Sequence, residues 1–112
     1  MARRIRKVVW TKTGQNTLDE AVAYIAQDSL PAAQQLLETA LDTAESLSFL
    51  SERGRMVPEL QQPNIRELLV RKYRMIYELF DTRVEILGFI HGARDFAKWR
   101  ESVTGDAGSQ ET

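Results

Sequence analysis

The chain carries one histidine and no cysteine in 112 residues, which excludes disulfides and leaves almost no material for a zinc site of His and Cys ligands. With 43% hydrophobic and 28% charged residues it has the composition of a folded globular protein, and its length allows one domain with a modest core. The net charge of −1 hides a segregation: residues 1–12 hold five bases and no acid, residues 13–52 hold seven acids and no base, and residues 53–100 hold ten bases against six acids. A basic and an acidic surface are therefore expected on different elements. No apolar run approaches the roughly 18 residues of a membrane span, and the start MARRIRKVVW lacks the apolar region and cleavage site of a signal peptide. A cytoplasmic protein without a metal or other cofactor is expected.

Taken in chain order, RIRKVVW is rich in β-branched and aromatic residues and predicts a strand over Ile5–Trp10. Thr17 with Glu20 three residues on has the form of a capping box, opening a helix whose apolar face is Leu18, Ala21, Val22 and Ile25. DSLP interrupts it, since Asp28 or Ser29 can cap a new helix and Pro31 is tolerated only in a first turn. In that second helix Ala33, Leu36, Leu37, Ala40, Leu41, Ala44 and Leu47 recur at three- and four-residue spacing, so the two helices form a hairpin with an apolar stripe. SERGRMVPELQQPN holds Gly54, Pro58 and Pro63 and no period, which reads as a connecting loop. IRELLV, YRMIYELF and VEILGFIH then follow, separated by RK and DTR, as an antiparallel meander. One strand, a helical hairpin and three sequential strands make an α+β fold with the helices on one sheet face and the other face free. DFAKW could open a short final helix, giving a domain over 1–100, and SVTGDAGSQET reads as a disordered polar tail over 101–112.

The order of elements, together with GRMVPEL, IRELLV, YRMIYELF and VEILGFIHGARD, resembles the RelE/ParE superfamily of toxins from bacterial type II toxin–antitoxin systems, over about residues 5–96. Two departures stand out: LSERGR offers Ser51 and Glu52 where many relatives have a proline before the glycine, and the tail beyond Arg100 has no counterpart. The resemblance implies a cognate antitoxin of the ParD or RelB kind and a hetero-oligomer with it. It also implies one of two activities, growth inhibition by binding DNA gyrase or cleavage of messenger RNA on the ribosome.

Cleavage of that kind needs a base, an acid for the leaving oxygen and cations against the charge developing on phosphorus. By resemblance Arg74 and Arg94 match two arginines of the cleaving RelE branch. That branch also has two lysines on the preceding strand and a tyrosine in the final helix, where this chain has Arg66 and Leu68, and Phe96 and Trp99. Arginine is not deprotonated near neutrality, so Arg66 cannot replace a lysine in proton transfer. His91 is the one side chain whose ordinary range lies near pH 7, although a histidine at a strand end serves equally well as a structural hydrogen-bonding residue. The candidate catalytic residues are thus Arg74, Arg94 and His91, and the candidate target-binding residues Arg66, Arg94 and His91. Gly92 lets the chain turn directly after the strand and aims His91 and Arg94. Tyr73 and Tyr77 alternate with Arg74 as sheet-face packing residues, and Arg3, Arg4, Arg6 and Lys7 fit a charged strand face as well as a nucleic-acid patch. The missing lysines and tyrosine place the chain nearer the gyrase-poisoning ParE branch. A ribosome-dependent endonuclease and an inactive, complex-forming homologue stay open as alternatives.

Overall fold

A computed structural model describes residues 5–110. Its elements are β1 (Lys7–Trp10), α1 (Lys12–Ala26), α2 (Leu30–Ser46), β2 (Arg55–Met56), β3 (Ile65–Val70), β4 (Tyr73–Leu79), β5 (Arg83–Ile90) and α3 (Gly92–Gln110). The strands form one sheet in the order β1-β5-β4-β3-β2. β3, β4 and β5 are the expected meander, whereas β1 lies parallel to β5 with Lys7 opposite Arg83 and Trp10 opposite Ile86.

Helix starts follow local chemistry. Ser29 caps α2 by accepting from the Ala32 amide at 3.1 Å, and Pro31 falls in the first turn, where its missing N–H costs nothing. α1 corrects the sequence reading. It begins at Lys12, capped by Thr11, whose hydroxyl accepts from the Gly14 amide at 3.0 Å. Thr17 lies inside this helix, bonded back to the carbonyls of Thr13 and Gly14, so its spacing to Glu20 is not a cap. A Cβ on Gly14 would lie 2.2 Å from the Ile86 carbonyl oxygen, so only glycine permits α1 to approach β5 this closely. The same carbonyl accepts from the Thr11 amide and hydroxyl, and the Thr17 hydroxyl accepts from the Phe89 amide at 2.9 Å. α1 thereby covers the edge of β5 beyond the end of β1, satisfying backbone groups that would otherwise be bare.

Leu18, Leu36, Ala40, Ala44 and Leu47 pack on one sheet face against Met75, Tyr77, Val84, Ile86 and Phe89. Leu37 is half-buried at the margin of this cluster, and Leu41, expected in it, is 44% exposed. The small residues Ala33, Ala40 and Ala44 face inward instead and turn Leu41 to the flank. The tyrosine hydroxyl at the centre is satisfied: Tyr77 donates to the Ser51 carbonyl at 2.8 Å and accepts from the Gly54 amide at 2.9 Å.

The opposite sheet face, expected to be free, is covered. Phe96 and Trp99 of α3 pack there on Val57, Ile76 and Ile90. A bulge in β5, where Ile76 faces Gly88 and Tyr77 faces Ile86, leaves the Leu87 carbonyl outside the ladder, and the Trp99 indole N–H donates to it at 2.8 Å. Gly88 makes room, since a Cβ there would meet the indole nitrogen at 2.5 Å. The short β2 emerges from the segment read as a loop because Arg55 and Met56 pair with Glu67 and Arg66. α3 runs to Gln110, past position 100 at which the tail was expected to start. No helix among the described residues is long and apolar enough to cross a membrane.

Candidate functional site

The last strand ends at Ile90, and Gly92, at φ +81, starts α3. No atom lies within 4 Å of a Cβ built on Gly92, so the backbone angle and not crowding demands glycine there. This corner leaves His91 and Arg94 exposed on the same side of the molecule. They line a groove of about 930 Å³ whose walls are α1 and the first turns of α3. Its floor is layered: Tyr73 stacks on Phe89 with ring centroids 4.8 Å apart and 9° between planes, and the His91 ring tilts against Tyr73 at 5.4 Å. Burial, then the neighbouring Tyr24 and Asp95, push the Tyr73 hydroxyl above its ordinary range, so it stays a donor rather than a base at neutral pH.

Lys12, Lys72 and Lys98 stand around the same groove as Arg94. None of these four is in a salt bridge among the described residues. Glu20 and Asp95 are the acids on the walls, and Tyr24 projects from α1, 67% exposed. The three lysines and Tyr24 are not recognisable as a group from their sequence positions, because they come from α1, the β3–β4 turn and α3 and meet only in the folded chain.

Arg74 is elsewhere. It neighbours Tyr73 on β4, and successive side chains of a strand point to opposite faces, so it faces α3. There its Nε donates to Glu67 at 2.7 Å, and its terminal nitrogens donate to both oxygens of Glu59 at 3.0 and 2.7 Å. The guanidinium also lies 4.9 Å from the Phe96 ring centre. Glu67, 1% exposed at its side chain, is gripped from the other side by Arg55 at 2.7 Å. Bonding to Glu59 before all else holds the Arg74 guanidinium more firmly charged, and the same contact lowers the Glu59 carboxyl. Arg66 is remote again: it pairs across the ladder with Tyr77, about 13 Å along β4 from Tyr73, and donates to the carbonyls of Glu52 and Gly54.

The structure therefore brings His91 and Arg94 together and leaves Arg74 and Arg66 outside their groove. Besides Arg94, the groups that share the groove with His91 are the acids Glu20 and Asp95, the phenols Tyr24 and Tyr73 and the ammonium groups of Lys12, Lys72 and Lys98, and β3 contributes no lysine to it. Among the described residues no three His, Asp or Glu side chains are grouped to hold a metal ion. The arrangement is suited to charge-directed contact with a partner.

A family model described as "ParE toxin of type II toxin-antitoxin system, parDE" matches residues 8–96. No curated protein matches the chain. Among solved structures, a chain of a chromosomal ParDE toxin–antitoxin system from P. aeruginosa superposes with a TM-score of 0.65 at 15% identity, covering 80% of this chain and 98% of that one. At that identity the likeness concerns the fold.

Proposed function

Because the chain belongs to the ParE toxin family, we propose that this type II toxin acts by binding DNA gyrase through the His91–Arg94 groove, and that a cognate ParD-like antitoxin neutralises it. The observation that carries this reading is the division of the arginines. Arg94 is exposed beside His91 and in no salt bridge among the described residues, whereas Arg74, which cleavage of RNA would require as a free cation, is held by Glu59 and Glu67. Two carboxylates on one guanidinium cancel the positive charge that would stabilise a phosphorane-like transition state. By resemblance, the lysines and tyrosine that transfer protons in the cleaving branch are replaced here by Arg66 and Leu68, and by Phe96 and Trp99, and each missing proton-transfer group forgoes a factor of about 10² to 10⁴. Protein binding needs only placed charge and shape.

Purified toxin assayed in parallel tests the reading. Inhibition of gyrase supercoiling is expected, with no cleavage of messenger RNA on translating ribosomes. Arg94→Ala is expected to weaken the inhibition, and His91→Ala to weaken it less. Messenger cleavage that falls steeply in His91→Ala would replace gyrase binding with the endonuclease reading. Co-expression with the antitoxin should give one hetero-oligomeric peak in size-exclusion chromatography and restore supercoiling.

A further inference from the structure

We propose that the groove between α1 and α3 is the docking site for an acidic peptide segment of a protein partner, gripped by Lys12, Lys72, Arg94 and Lys98. This rests on the reading that the groove meets a protein, and it adds which chemistry the partner presents and which residues receive it.

The first observation is the convergence of unpaired cations. Elsewhere in the fold Arg55, Arg74 and Arg83 each have a carboxylate at about 2.7 Å. The four groove cations are exposed, come from three separate elements and are in no salt bridge among the described residues. Like charges gathered around one concavity repel each other, and an incoming anion relieves that repulsion. The second observation is the floor. Ile25, Phe89 and Ile90 line it beside the Tyr73 ring, so a segment with acids flanking an apolar side chain satisfies both rim and floor. A volume of about 930 Å³ is at the upper end of small-ligand pockets, with room for several side chains.

Charge also selects among anions. The α1 wall belongs to the stretch 13–52, which holds seven acids and no base, and Glu20 and Asp95 stand on the two walls of the groove. A nucleic acid extending beyond the groove would pass over this acidic hairpin within about one Debye length and be repelled. A short carboxylate segment meets only the local cations, and its backbone N–H groups can donate to Glu20 and Asp95. Three of the four cations are lysines, which lack the two-pronged geometry that favours phosphate.

The test is a fluorescence-anisotropy titration of the full chain with a labelled synthetic peptide of glutamates around a central leucine. The same peptide with glutamines and a single-stranded oligonucleotide of equal formal charge serve as comparators. The glutamate peptide is expected to bind and the glutamine peptide not. The double variant Lys72→Glu/Lys98→Glu should weaken binding at least about tenfold, and Lys72→Arg/Lys98→Arg should retain it. Lys7→Glu, on β1 and outside the groove, changes net charge equally per site and should leave binding within about twofold. Equal binding of both peptides, unchanged binding by the double Glu variant, or an oligonucleotide that binds more tightly and displaces the peptide would each overturn the proposal. Gyrase inhibition measured on the same samples separates the two readings. Peptide binding without gyrase inhibition sinks the target alone, and inhibition without peptide binding sinks the acidic segment alone.

Discussion

Arg74 and Arg94 lie on adjoining elements, yet one is enclosed by two carboxylates and an aromatic ring while the other stands in a groove with no salt bridge among the described residues. Their burial explains the difference. The Arg74 side chain is 16% exposed, and a charge at that depth is tolerable only with partners, which Glu59 and the buried Glu67 supply. Arg94 is solvated, so the fold makes no demand on it. On the α3 side of the sheet charge serves the structure, and in the groove it is left over for something else. A basic residue in this family's motif positions is thus informative about function only after its carboxylate neighbours are known.

Four substitutions would break or sharpen that contrast. The largest effect belongs to Trp99→Ala, which removes the anchor of α3 and its bond to the Leu87 carbonyl; urea unfolding should show a loss of about 3–5 kcal/mol. Glu67→Gln comes next, because it leaves Arg74 and Arg55 without their shared buried partner. A loss of about 2–4 kcal/mol is expected, below the full cost of an orphaned buried pair since Glu59 still holds Arg74. Glu59→Gln should matter less and only as a pH effect. Its folded carboxyl is lowered below the ordinary 4.5, so its contribution is present above that pH and lost as the pH falls through the folded value. Stability profiles of Glu59→Gln and the parent should therefore differ above pH 4.5 and converge in acid, and a constant difference at all pH would refute the assignment. Arg94→Ala should change unfolding free energy by less than about 0.5 kcal/mol while weakening gyrase inhibition, and a large loss of stability would mean that Arg94 is structural after all.

Sequence patterns reported the local features of this chain and missed what depends on distant contacts. Ser29 and Pro31 announced α2 because cap and first-turn chemistry act within a few residues. Thr17 misled because a threonine and a glutamate at capping-box spacing also occur inside helices, and the true cap, Thr11, is followed by Lys12, Thr13 and Gly14, a weak helical start. Gly14 is there for the Ile86 carbonyl, a contact with no trace in nearby residues. The covered second sheet face escaped notice for the same reason, since it depends on Gly88 admitting Trp99 at a bulge. At the site, HGARD signalled a corner, because a glycine at the end of a strand has a backbone meaning. The grouping of Lys12, Lys72 and Lys98 around it is a property of the tertiary fold alone.

The parallel seam between β1 and β5 has a consequence for how the protein comes into being. β1 finds its only described ladder on a strand made last in the sheet, with Lys7 set against Arg83, and α1 is hung on that same strand through Thr11 and Thr17. At roughly 5–20 residues per second, several to about 15 seconds of synthesis separate these partners, with β1 unpaired throughout. The groove waits as well, since part of its floor lies on β5 and its second wall, α3, follows that strand. The groove proposed to meet the target is therefore complete only once β5 and α3 have both emerged, long after β1 has left the ribosome.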